Sequence, residues 1–209
     1  MSMGAAIDYY LTPVSPWTYL GHERLAVIAG RHGAAIRCKP VDFGKIFAVS
    51  GGLPLGKRAP QRQAYRLFEL KRWRDFLGIE LTLEPRFFPA PADLAAKLIL
   101  AAPETAQFRL VGALLRAIWA EERDIADPAT AQAIAESCGL DGAALLRAAE
   151  GPALKARYED LTREAIDRQV FGAPTYIFRD EPFWGQDRLD FLERVVAMDR
   201  TKKDKGQKR

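Results

Sequence analysis

The sequence predicts an α/β fold in which a β-α-β unit and a closing β-β-α unit are separated by a long, wholly helical insertion. Three observations carry this. Apolar, strand-like segments at 5–11 and 35–41 flank a helical pattern at 16–32. From Phe43 to about Gln169 the apolar spacing is overwhelmingly helical. Strand signals return only at Thr175–Phe178.

Each element has its own justification. Ala6–Leu11 is a short apolar run ending at the loop Thr12–Val14. From Pro16 the period turns helical, with Trp17, Leu20, Leu25, Ile28 and Ala29 near one face, and Gly33 is a natural stop. Ala35–Val41 is a second strand, and Pro40 near its end marks an exit from the sheet. The three form a right-handed β-α-β unit. In the insertion, 61–77 places Ala64, Leu67, Phe68, Leu70, Trp73, Phe76 and Leu77 broadly on one face, read as core, before Gly78. Helices follow at 92–101, at 105–122 and from Asp127-Pro128, an N-cap followed by proline in the first turn. Asp141 opens a further helix, and Gly151-Pro152 separates it from 153–169. After Thr175–Phe178, a turn at Arg179–Glu181 leads into a short antiparallel strand, Pro182–Trp184. Residues 185–188 open a last helix through Met198. The expected organisation is one α/β domain from 1–42 and 170–199, an inserted helical domain at 43–169, and a disordered basic tail at 200–209.

Composition narrows the function classes. The chain has 209 residues, 48% hydrophobic and 28% charged, ordinary for a globular protein. Its net charge of +4 is misleading. Of 31 Lys/Arg and 27 Asp/Glu, six and one lie in 200–209, leaving 25 and 26 elsewhere. The body is near neutral, so a nucleic-acid surface is not expected, and the tail reads as a solubilising end. No apolar run reaches the roughly 20 residues of a membrane span. No secretory pattern opens the chain, so the expected compartment is the cytoplasm. Cys38 and Cys138 fit no metal or redox spacing, and His22 and His32 stand ten apart on one helix. The expectation is two buried thiols and no metal site.

The informative stretch is Ser15-Pro16-Trp17-Thr18, between the first strand and the first helix. The element order is that of a thioredoxin fold split by a helical insertion, and there a C-x-x-C motif would open this helix. Both cysteine positions are hydroxyl residues here. A helix N-terminus carries unpaired N–H groups and a partial positive charge, so it favours a thiolate. With no cysteine in the motif, any thiolate must come from a bound cofactor, and glutathione is the candidate. Asp8-Tyr9-Tyr10, Ser15–Gly21, Phe171-Gly172-Ala173-Pro174-Thr175 and Trp184–Leu189 together resemble the 2-hydroxychromene-2-carboxylate isomerases. These are relatives of kappa-class glutathione transferases in the thioredoxin-fold disulfide-oxidoreductase superfamily. The resemblance covers nearly the whole chain up to the tail.

What the resemblance implies can be set beside each residue's plainer reading. Ser15 suits a helix N-cap; the resemblance implies a catalytic hydroxyl that donates to the glutathione sulfur. By base rate the Ala173–Pro174 bond is trans; the resemblance implies a cis-proline, with the Ala173 backbone pairing the cysteinyl backbone of glutathione as an added strand would. Asp187 is equally an N-terminal cap; the resemblance implies that Trp184, Gly185, Gln186 and Asp187 hold the γ-glutamyl end, and Arg188 reads as a surface or dimer-contact residue. An aromatic carboxylate substrate needs an apolar slot and one or two cations. Lys57, Arg58, Arg62 and Arg66 cluster near the helix at 61–77, and Arg86-Phe87-Phe88 follows, although a solvated helix face and core aromatics are the better reading for most of these. The substrate residues singled out are Gly52, Leu53, Arg62, Phe87 and Phe88. The chain departs from the family pattern at 47–52, where Ala48, Val49 and Gly52 replace the usual lysine and asparagine.

The implied activity is glutathione-dependent isomerisation of an aromatic catabolite, in a homodimer. The alternatives are a kappa-class-like glutathione transferase and a non-catalytic glutathione- or peptide-binding module. A dithiol oxidoreductase is disfavoured, because neither motif position bears sulfur. The purified protein is therefore expected to leave insulin disulfides intact in a turbidity assay with glutathione.

Overall fold

The computed structural model of the protein describes residues 5–206. Its sheet has four strands in the order β2-β1-β3-β4: β1 (Ala6–Leu11), β2 (Ala35–Pro40), β3 (Thr175–Phe178) and β4 (Glu181–Trp184). β1 pairs parallel with β2, from Ala6 opposite Ala35 to Leu11 opposite Pro40. It pairs antiparallel with β3, Tyr10 opposite Thr175, and β3 pairs antiparallel with β4. The helices are α1 (Pro16–His32), α2 (Phe43–Ser50), α3 (Pro60–Leu77), α4 (Asp93–Ala101), α5 (Glu104–Trp119), α6 (Pro128–Ser137), α7 (Gly142–Ala149), α8 (Pro152–Asp167) and α9 (Leu189–Gly206). The insertion between β2 and β3 is thus entirely helical. No described helix is long and apolar enough to cross a membrane.

β1 shows why the sheet sits where it does. Alternate side chains point to opposite faces of a strand. Ile7, Tyr9 and Leu11 join a core with Leu25 and Ile28 of α1, Leu110 and Leu114 of α5, and Leu189 and Leu192 of α9. Tyr10 joins a second cluster on the other face with Phe43, Ile46 and Ala165. The first cluster runs through both the α/β part and the insertion, so the two share one core. Asp8, on the Tyr10 face, is buried among Arg37 (2.6 Å), Lys39 (3.4 Å) and Arg168 (2.7 Å). Glu164 of α8 bonds Lys39 and the Tyr10 hydroxyl. These charges fasten the end of the insertion to the sheet.

The caps behave as their residue types require. Asp127 and Asp141 accept from Thr130 N–H (2.8 Å) and Ala144 N–H (2.9 Å). Gly33 closes α1 at φ +64°, a left-handed conformation that glycine adopts without penalty.

Three expectations are corrected. The wide apolar face expected on 61–77 is not core: Phe68 is 61% and Phe76 78% exposed, and Ala64 is exposed as well. α3 lies on the outside, so only a narrow stripe of Arg66, Leu70, Trp73 and Leu77 turns inward. The chain between β4 and α9 is a 3-10 turn at Gln186–Arg188, and α9 begins at Leu189. Finally, α9 continues to Gly206 rather than ending at Met198, so most of the expected tail is helical backbone. Residues 207–209 lie outside the described residues.

His22 of α1 ties the α/β part to the insertion. Its Nε2 donates to the Phe108 carbonyl (3.1 Å), its ring stacks on Phe108 at 3.9 Å, and Nδ1 faces the Tyr9 hydroxyl (3.4 Å). Burial lowers its pKa from 6.5 to about 4, so the folded protein holds it neutral. As pH falls from 6.5 toward 4, only the unfolded chain takes up this proton, and stability drops. The full loss is on the order of 3 kcal/mol. His22→Gln is expected to remove that component, seen as a flatter stability-versus-pH curve in urea titrations across this window.

Candidate functional site

The cleft opens where α1 begins. Ser15 is the N-cap of α1; its Oγ accepts from Thr18 N–H at 3.3 Å, and its own N–H donates to Thr12 O. Accepting that bond leaves the hydroxyl proton free to be donated elsewhere. Ser15 is 8% exposed and lines the cleft, whereas Thr18 is fully buried and does not. Of the two hydroxyl positions, only Ser15 faces the cavity. Pro16 fills the first helical position and no acidic residue occupies the first turn, so nothing on the helix offsets the positive end of its dipole.

Ala173 lines the cleft just ahead of β3, and the Ala173–Pro174 peptide is cis. Gly185 N–H donates to Pro174 O at 2.8 Å, which holds the end of β4 against this segment. Trp184 and Phe171 meet edge-on at 4.7 Å and stand half-exposed at the cleft's lip. Gly172 permits this, because a Cβ there would overlap the indole of Trp184.

The insertion supplies the facing wall. The cavity holds about 670 Å³, walled by Phe43, Phe47, Phe88 and Tyr158, with Gly52 and Leu53 in the loop after α2. Arg58, Arg62 and Arg66 line it, against two carboxylates, Asp42 and Asp93. Asp42 caps α2 through Gly44 N–H (2.8 Å) and Lys45 N–H. Burial lowers the Arg58 pKa, and neighbouring Arg62 adds to it. Among the described residues no His, Lys or Cys lines the cleft, so Ser15 has no imidazole, amine or thiol beside it. Among the described residues, no group of three or more His, Cys, Asp or Glu is placed to hold a metal.

A family model of the DSBA-like thioredoxin domain matches residues 6–197. A 2-hydroxychromene-2-carboxylate isomerase from Sphingobium xenophagum is 31% identical over 192 residues, spanning 91% of this chain and 97% of that protein. The chain belongs to the 2-hydroxychromene-2-carboxylate isomerase family. A solved 2-hydroxychromene-2-carboxylate isomerase superposes with a TM-score of 0.83 at 27% identity, covering 98% of this chain and 99% of that one. The human glutathione S-transferase kappa 1 is similar at 23% identity over 206 residues, 91% of this chain and 90% of that protein.

In this isomerase-family member the cleft brings together Ser15, Ala173, Trp184, Gly52, Leu53, Arg62 and Phe88. Pro174 and Gly185 are not among the lining residues, although each adjoins one, Ala173 and Trp184. Three expected site residues are placed otherwise. Gln186 is 2% exposed, and its side chain accepts from Arg24 of α1 (2.9 Å), so it braces the turn instead of facing a ligand. Asp187 is exposed and pairs with Arg188 at 2.7 Å. Phe87 carries the Arg86 guanidinium over its ring and does not line the cavity. Its neighbour Phe88, beside a second cis bond at Pro89, does. The α2 aromatics Phe43 and Phe47, together with Tyr158, were missed. Their apolar periodicity looks like core, and only the tertiary fold shows one edge open.

Ser15→Ala, by losing the Thr18 N–H bond, is expected to cost about 1 kcal/mol of stability in denaturant titrations. Ser15→Asp restores a capping acceptor and favours the helix dipole, so it is expected to recover that stability while rejecting an anion from the cleft.

Proposed function

We propose that the protein is a glutathione-dependent isomerase of an unsaturated aromatic catabolite, chemistry like that named for its isomerase relatives. One observation carries the reading: a buried serine hydroxyl, its proton unspent, caps an α1 N-terminus with no acidic residue in the first turn, in a cleft lined by no cysteine. Such a site suits a sulfur anion brought in from outside.

The residues fit glutathione. Ser15 would donate to its sulfur, the Ala173 backbone would pair with its peptide, and Trp184 would wall the γ-glutamyl end, with Asp187 exposed beyond it. Gln186 serves from behind by holding that turn to Arg24. Glutathione, when bound, supplies a thiolate able to add to and leave a conjugated carbon, which makes a double bond rotatable. Ser15 and the helix end stabilise negative charge at the sulfur. The aromatic walls exclude water and orient the acceptor's planar part. Ser15 itself is not the nucleophile: its neighbours in the cleft include no imidazole or amine to take its proton, Asp42 is committed to capping α2, and Asp93 is exposed on the insertion's wall. We place the reaction in the cytoplasm, where glutathione is kept reduced.

The similarity to glutathione S-transferase kappa 1 supports a second reading, in which the thioether is retained as product. Product mass separates the two: an isomer of unchanged mass supports the first, a stable adduct the second. For either, calorimetry is expected to show glutathione binding, and ultraviolet titration a thiol pKa below the free value of about 8.5. Ser15→Ala is expected to raise that pKa and cut kcat by roughly 10²-fold. Absent binding, or turnover unchanged in the variant, would sink the proposal.

A further inference from the structure

Arg66 stands apart from the other cations of the cleft. It is 8% exposed, whereas Arg62, one turn earlier on α3, is exposed to solvent. Its guanidinium carbon lies 5.0 Å from the Phe88 ring centre and 5.6 Å from that of Trp119. The Nη2 atom is fully buried and has no hydrogen-bond partner. Among the described residues no carboxylate lies within ion-pair distance of it; Glu84, exposed in the loop after α3, acts only from further away. Asp42 is committed to its cap, and Asp93 is exposed at the first turn of α4.

A buried guanidinium without a counter-charge is costly, and aromatic faces offset only part of that cost. Burial lowers the pKa of Arg66 to about 10, and like-charged Arg58 adds to the effect. Arg66 nevertheless stays protonated at neutral pH. An anion entering the cleft would pair with it away from water, where such a bond is strong, whereas hydrated Arg62 would gain little.

We propose that Arg66 is the specificity-determining residue for the acceptor, its planar fork taking a carboxylate carried on an aromatic substrate. This rests on the reading of a glutathione-dependent isomerase but concerns the insertion's wall of the cleft. The acceptor is then held by its acid group at α3, with its reactive part turned toward the Ser15 side. Phe88 and Trp119 fix the plane of the guanidinium and so the orientation of the acid it accepts.

The test uses cinnamate against its neutral amide, cinnamamide, titrated calorimetrically into the full chain with and without glutathione. The wild type is expected to prefer the acid by about tenfold or more, the worth of one charge-assisted bond. Arg66→Met is expected to abolish the preference and leave glutathione binding intact, while Arg72→Gln, on α3 outside the cleft, keeps it. Arg66→Lys guards against a misfolded variant: charge without the fork is expected to leave a preference of roughly threefold or less. A wild type indifferent to the acid, or a preference undiminished in either Arg66 variant, overturns the assignment. Loss of glutathione binding with the acid preference intact would instead reject the cofactor reading alone.

Discussion

The antiparallel pairing of β1 with β3 is the constraint on which the site depends. Tyr10 stands opposite Thr175, so the loop leaving β1 and the segment entering β3 emerge at the same end of the sheet. Ser15 rides on the first and Ala173 on the second. A register shift of one residue would turn Tyr10 and Thr175 to the opposite face and part the two. The shift is opposed from both sides. The Asp8 cluster bonds β1 to β2 and to Arg168 past the end of α8, and Tyr9 packs against Tyr176 at 5.4 Å. Ion pairing of this kind contributes little net energy, because burial costs nearly what attraction returns. Its effect is to make one alignment far better than its neighbours.

The cleft has an electrostatic logic that follows from this placement. One wall offers a helix end and a hydroxyl proton; the other offers three guanidiniums against two carboxylates, one of them already used as a cap. Both walls favour negative charge, by different means. The helix end is a diffuse, fixed field suited to a polarizable atom, whereas a guanidinium fork is directional and suited to a planar acid. A redox-active relative of this fold would place its own sulfur at the helix end. Here the same position is left to a hydroxyl, which on the proposed reading would donate to an anion without competing as a nucleophile.

Much of this was legible in the sequence, for reasons that differ by residue. Asp127, Asp141 and Gly33 act locally, and their roles follow from the backbone bonds each end of a helix lacks. The order of strands and helices followed from periodicity together with glycine, proline and capping residues, although these do not set α2 apart as a helix of its own, and the family followed from the motifs around Ser15, Pro174 and Trp184. What failed depended on tertiary neighbours. Phe68 and Phe76 are as apolar as any core residue, and only the peripheral position of α3 exposes them. Gln186 turns inward because Arg24, far away in sequence, waits there. Phe87 and Phe88 are indistinguishable in composition, and the path of the chain into Pro89 decides which one meets the cavity. Arg62 and Arg66 share a helix face at four-residue spacing, a signal available beforehand, but their unequal burial was not.

The two thiols of the chain carry a last consequence. Cys38 and Cys138 are both buried, and burial pushes the Cys38 thiol up to about 12, so it stays protonated at any physiological pH. A catalyst that manipulates conjugated electrophiles risks alkylation by its own reactants. On the proposed reading, with the chain's own thiols inside the core and the reacting sulfur an exchangeable one, the protein would be spared self-inactivation: whatever adduct forms could diffuse away and leave the polypeptide unmodified for the next encounter.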